Sequence, residues 1–406
     1  MTISIVATPI INGISATTLV NGISITENST TIVSSTLSIP GSAVAVAVTP
    51  TGTITSTNVQ SALEELAGNP AGVDLTSSQT ISGFKTFTGG LSSTGAGANS
   101  FRAGTGAGNG GQGVNSVSVG VYAGNVYQGV NSVAVGSNAG QTTQGFSSVA
   151  IGDLAGKTTQ GNTSVAIGNQ AGKINQAVNS VSIGSLSGTN DQEQYGIAIG
   201  QSAGMNSQGV GGVGIGRGAG GTTQGTYSVA IGGLAGSTTQ SAYSVAIGYY
   251  AGNSVQNARA IAVGQYAGRY SQNASAVAVG EYAGNSAQGA SAVAIGASAG
   301  QTTQGTGAVA TGYYAGNTTQ GSAAVGIGSQ AGQTSQGNYG VAIGRLAGQG
   351  TQGQSAIAVG VQAGQTTQGT NSVAVGPYAG KTTQSNDAVA VGSSAGQTTQ
   401  GSASIA

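Results

Sequence analysis

The sequence predicts an all-β fold: a parallel β-roll, or β-solenoid, built from coils of 16 residues. Two observations lead there. From Phe101 to Ala406 the chain repeats every 16 residues without an insertion or deletion. Within each unit two Val or Ile residues stand two apart, the spacing that places both on one face of a strand. A fixed period with fixed residue types means that each position meets the same surroundings in every unit, as in a solenoid whose repeats stack on their neighbours.

One unit reads Val133-Ala134-Val135-Gly136-Ser137-Asn138-Ala139-Gly140-Gln141-Thr142-Thr143-Gln144-Gly145-Phe146-Ser147-Ser148, and positions are counted here from Val133 as the first. The first three residues form the first strand. Read by hydrophobicity, Val133, Val135, Val229, Ile231, Val245 and Ile247 are the structural core. The small second and sixteenth positions then form a smooth outer face. The fourth position is Gly from Gly120 to Gly392, and the seventh and eighth are Ala-Gly with one exception at Ser187; together they make a turn. The second strand is Gln-Thr-Thr-Gln, as in Gln301-Thr302-Thr303-Gln304. Its closing Gln recurs from Gln112 to Gln400. Stacked in register, Gln144, Gln160, Gln304 and Gln320 belong to a predicted glutamine ladder, buried or at an interface. Adjacent Thr302 and Thr303 are expected on opposite strand faces, which argues against the regular Thr array of an ice-binding solenoid.

Successive coils climb by about 4.8 Å, so nineteen of them give a rod on the order of 90 Å long. One Val, one Ile and one Ala per coil is thin apolar content, because ordering a residue costs about 1–2 kcal/mol. The rod is therefore expected to associate along its length, most simply as a parallel homotrimer. The last coil carries no atypical capping unit, so that end is expected to be covered by further coils or by another subunit.

The motif of Ser164-Val165-Ala166-Ile167-Gly168 and Ser244-Val245-Ala246-Ile247-Gly248 resembles the head repeats of trimeric autotransporter adhesins, the YadA-like heads. That resemblance implies a left-handed, trimeric β-roll. It covers the repeats, and it departs from the family in period: 16 residues here against the usual 14 of that family.

The chain divides into residues 1–56, a β-rich attachment or assembly region; 57–100, a short helix and linker; and 101–406, the rod. Asn12-Gly13 and Asn21-Gly22 are turn signals between apolar runs, and Ala43 to Val48 alternates strictly. Val59, Ala62, Leu63 and Leu66 share one face of a predicted helix over 58–67, ended by Gly68. Asn58 to Leu66 and Asp74 to Phe87 resemble segments of bacteriophage and large-virus tail or capsid fibre proteins. That resemblance implies an N-terminal base that joins a particle protein and carries a shaft.

Composition narrows the chemistry. Nine basic and nine acidic residues in 406 leave no net charge, and there is no His, Cys or Trp. Triads, Cys-His dyads and ordinary zinc sites are excluded, and no cofactor is expected. Scattered Lys and Arg do not make a phosphate-neutralising surface, so nucleic acid is not an expected partner. No apolar run approaches the ~20 residues of a membrane helix, and Met1-Thr2-Ile3-Ser4-Ile5 lacks a signal peptide's basic region. Gly106 to Gly111 lacks the βαβ context of a dinucleotide loop. Asp191 and Glu193 are the densest acidic spot in the rod and read first as a solvated loop, with a shared calcium site as the alternative. Tyr250, Tyr266 and Tyr282 hold the sixth position of consecutive coils and are predicted to stack, a candidate receptor or glycan contact. The expected function is a non-enzymatic fibre on a virion surface, for host attachment; the alternative is a cell-surface adhesin or extracellular filament.

Overall fold

In the computed structural model the described residues are 97–406; the predicted N-terminal strands and the helix over 58–67 lie outside them. The described part is a parallel β-solenoid of 16-residue coils, all-β and without a helix. Every coil contributes a first strand at positions one to three and a second strand ending at position twelve. The first strands, from Phe101–Ala103 to Val389–Val391, form one nineteen-stranded parallel sheet. The second strands, from Gly110–Gln112 to Thr399–Gln400, form the facing stack.

Register is residue on equivalent residue throughout. Val229 pairs with Val245, Ala230 with Ala246 and Ile231 with Ile247, while Gln240 pairs with Gln256. The turns are laddered as well: Asn138 N–H donates to Val121 at 2.8 Å and Gly140 N–H to Ala155 at 2.9 Å. Turn and strand therefore share one coil-to-coil repeat.

Two glycine columns are needed for that closeness. Gly264, at the fourth position, has φ +127, and a β-carbon there would lie 2.6 Å from the Gly280 carbonyl oxygen of the next coil. Gly268, at the eighth, has φ +52, and a β-carbon would meet Gln272 Oε1 at 2.7 Å. One column lets coils stack; the other leaves room for the interior glutamine.

The interior corrects the hydrophobic reading. Ala230, Ala246, Ala235 and Ala251, at positions two and seven, are fully buried, and these alanine columns form the apolar core. Val133, Val135, Val229 and Val245 are half-buried, while Ile231 and Ile247 are each 37% exposed. They point away from the coil axis. The second and sixteenth positions, expected outside, line the interior instead. Size decides this inversion. Side chains no longer than Ala let the two strand stacks close until Gln256 of one reaches the main chain of the other, with Nε2 2.8 Å from the Val245 carbonyl. Val and Ile would hold packed sheets near ~10 Å apart.

Thr302 and Thr303 are both exposed, because the chain bends at Thr302 and the strand proper is only Thr303–Gln304. Their expected opposition therefore does not hold.

Candidate functional site

Among the described residues, no group of three or more acidic side chains could hold a metal ion. What the fold builds instead is three periodic columns: glutamines inside, Val and Ile on one face, and tyrosines along one turn.

Every interior glutamine amide serves the main chain first. Gln144 donates to the Val133 carbonyl at 2.7 Å, Gln160 to Val149 at 2.8 Å, Gln304 to Val293 at 2.7 Å and Gln320 to Val309 at 2.7 Å. Many also bond onward to the next glutamine: Gln304 Nε2 to Gln320 Oε1 at 3.0 Å, then Gln320 Nε2 to Gln336 Oε1 at 3.0 Å. Gln144 and Gln160 share the buried column, yet the Oε1 of each lacks a protein donor. The amide chain is thus broken into runs. Gln176, Gln240 and Gln352 each start one, and each carries an Oε1 with no donor. Where the second position is Ser, its hydroxyl fills that role: Ser118 Oγ donates to Gln128 Oε1 at 2.6 Å.

On the outer face of the first sheet, positions one and three run as two parallel columns of Val and Ile. From Val117 to Val391 the only exception is Thr311, and no charge interrupts them. A contiguous apolar stripe of this length exceeds what monomeric surfaces ordinarily expose.

Tyr250, Tyr266 and Tyr282 stack as a ladder at the sixth position. Ring centroids are 5.6 Å and 4.9 Å apart, with planes 19° and 20° from parallel. Tyr249 meets Tyr250 edge-on at 4.5 Å. Arg269 lies over three rings, 4.8 Å from Tyr250, 5.0 Å from Tyr266 and 4.6 Å from Tyr270. Its Nε is buried without a hydrogen-bond partner. Sequence reading missed this cation. The signal was local: Arg269 stands three residues after Tyr266, and the same spacing puts Lys381 5.3 Å from the Tyr378 ring. Water excluded from around the ring holds the Tyr249 phenol above its ordinary pKa; its hydrogen bond and proximity to Tyr250 add to this, and Arg217 opposes it. Desolvation does the same to Tyr313, helped by Tyr314.

The sixth position is also left-handed backbone in every coil, with φ +56 at Tyr250 and +57 at Tyr266. Its occupancy by Tyr, Leu, Gln and Ser concealed this, since such residues rarely adopt that conformation.

Asp191 and Glu193 line two shallow open clefts, and Asp191 Oδ1 accepts from Asn175 Nδ2 at 2.8 Å. Gly106 to Gly111 runs through the first coil's turn into the second strand, with no helix beside it. No described helix is long and apolar enough to cross a membrane. No protein-family model matches the chain, and no curated protein matches it.

Proposed function

We propose that this chain is a non-enzymatic structural fibre: a stiff rod, assembled as a parallel homotrimer, projecting from a virus or phage particle to attach to a host. Residues 1–100 would join the particle or base protein, and the location would be the virion surface. One observation carries the rod and its self-association: the coils are in register over their whole length and present a Val/Ile stripe broken only at Thr311. A surface repeating at about 4.8 Å is matched along its length only by a partner with the same rise, and a second or third copy of this chain has it. Burying the stripe supplies the apolar area that the alanine interior lacks. Host attachment would rest on many weak contacts held at a distance, multiplied by the number of chains. The tyrosine ladder is the candidate contact for a receptor or glycan.

The adhesin-like Ser-Val-Ala-Ile-Gly motif favours a second reading, in which the same rod belongs to a cell-surface adhesin or an extracellular filament. Sedimentation of the full chain tests association: a trimer is expected, and a folded monomer at micromolar concentration overturns it. Imaging native material separates the settings. Rods on particles support the first, while tufts on cells or continuous filaments support the second.

A further inference from the structure

The turn edge at positions five and six carries a periodic charge pattern, of which Asp153 also accepts from Asn169 Nδ2 of the next coil at 3.1 Å. Asp153, Arg217, Glu281 and Arg345 all occupy the fifth position, all are exposed, and each is four coils from the next. That interval is roughly 19 Å along the rod. Their signs alternate. Within one rod such distant charges hardly interact, since the separation exceeds the ~8 Å screening length of physiological salt. The pattern acquires a use against a second column of charges.

We infer that two rods pair edge to edge and antiparallel, about a twofold axis through Tyr249 and Tyr250. A twofold axis lying in the contact plane between the rods, perpendicular to both, sets each column of one against the same column of the other, with direction reversed. Asp153 then faces Arg345 of the second copy, and Arg217 faces its Glu281; each pair occurs twice. In-register parallel pairing would oppose Asp153 to Asp153 and Arg217 to Arg217.

The sixth position gives independent support, because five of the eight pairs nearest Tyr250 match in kind. Under this axis Leu154 meets Leu346, Gln170 meets Gln330 and Ser202 meets Ser298. Further out, Asn138 meets Gln362 and Tyr122 meets Tyr378. Leu186 meets Tyr314 and Leu234 meets Tyr266, still large apolar side chains together, and Gly218 opposite Tyr282 is the one unmatched pair. A parallel pairing shifted by four coils also matches the charges, but it sets Gln170 against Leu234 and Tyr266 against Gln330. The antiparallel register matches the four charges and seven of the eight sixth-position pairs; the shifted one matches the charges but mispairs the sixth position.

The pairing uses the turn edge and leaves the Val/Ile stripe to whatever covers it. A consequence follows if the rods are held by their N-terminal regions, and this step rests on the function proposed above. Antiparallel rods would have their held ends far apart, so that the edge would join two separate particles or surfaces through copies of the same chain.

The chain has no cysteine, which makes disulfide mapping direct. The full-length Asn138→Cys/Gln362→Cys double variant is oxidised, and its cross-links are located by peptide mapping. Linkage of residue 138 to residue 362 between chains is expected, with neither single variant linking to itself. Self-linkage of Asn138→Cys alone, or no 138-to-362 linkage in the double variant, overturns the proposal. In parallel, Arg217→Glu is expected to weaken edge pairing about tenfold, since two exposed charge contacts change sign. Adding Glu281→Arg to the same chain restores it. An unchanged pairing constant in Arg217→Glu, or no rescue, would equally overturn it. These readouts differ from trimer mass, so failure of the stripe assembly and failure of the edge pairing are told apart.

Discussion

Gln256 reaches across its own coil and donates its side-chain amide to the Val245 carbonyl at 2.8 Å, and to the Ala260 carbonyl at 3.2 Å. One polar side chain thereby reaches carbonyls of the opposite strand and the closing turn, the second of which, on Ala260, also accepts from Val245 N–H at 2.9 Å. It also bonds to Gln272 Oε1 at 3.0 Å. A buried carbonyl without a donor costs about 1–3 kcal/mol. Gln256→Leu keeps the bulk but removes the donor of all three bonds and the Oε1 that accepts from Gln240 Nε2 at 3.2 Å, so it is expected to destabilise the rod by about 2–4 kcal/mol. Gln256→Glu should be worse at neutral pH, because a carboxylate would face carbonyl oxygens in a buried site. Denaturant unfolding of both variants checks the order. Equal stability of Gln256→Glu and the parent chain would refute the interior role.

The fourth-position glycines predict a sharp positional contrast. Gly264→Ala would place a β-carbon 2.6 Å from the carbonyl oxygen of Gly280, on backbone of φ +127. Neither can relax without separating two coils. A loss of roughly 2–4 kcal/mol is expected, by analogy with strained backbone and overpacking elsewhere. Gln265→Ala, one residue on and exposed, should stay within about 0.5 kcal/mol of the parent. Hydrogen exchange should show the Gly264→Ala opening centred on the coils that contain Gly264 and Gly280.

At alkaline pH the exposed tyrosines should add a small pH dependence to stability. The Tyr249 and Tyr313 phenols are raised in the folded rod, first by desolvation. A raised folded pKa means that the native state holds its proton more tightly than the unfolded chain. Their contribution is therefore complete below the unfolded phenol value, near ~10, and is lost as pH climbs through the higher folded value. The unfolding midpoint should fall over that range, and Tyr249→Phe should shallow the fall. With no histidine or cysteine, no side chain has an ordinary pKa in the pH 6–8 range, and the midpoint there should be flat.

The period, the two strands per coil, the glycine turns and the stacked Gln and Tyr columns were all legible in the sequence. Each depends on recurrence, and recurrence survives ignorance of which way a strand faces. What failed was the direction of the first strand. Val229 and Ile231 outrank Ala230 on any hydrophobic scale, so the period-two pattern placed them inside. Hydrophobicity alone does not fix the gap between two sheets; side-chain length does. The ladder at Gln240 and Gln256 carried the missing information, since an amide in the interior bonds to facing carbonyls only if those strands are close. The left-handed sixth position was not legible, because Tyr, Leu, Gln and Ser hold most coils and only Gly106, Asn138 and Gly218 are of the types that announce it.

That inversion gives the most discriminating experiment on the stripe. Ala230 is fully buried between the stacks, whereas Ile231 beside it faces outward and is 37% exposed in the single chain. An aspartate at the two sites should act in opposite ways. Ala230→Asp puts a charge, and more bulk than a methyl, into an interior that holds only alanine, serine, glycine and amide groups; uncompensated burial of this kind is among the costliest single changes. The coil should not form, and β-sheet circular dichroism should drop. Ile231→Asp meets water on its own chain, so the coil should fold with its spectrum intact. If copies of the chain cover the stripe, however, the same aspartate lies in their contact and repeats once per chain, and assembly should fall by a hundredfold or more, as expected for unpaired charge in an apolar interface. Spectra and sedimentation on the two variants separate folding from association. Loss of fold in Ile231→Asp would return the isoleucines to the interior, and a folded, fully assembled Ile231→Asp would mean that the stripe is not the contact.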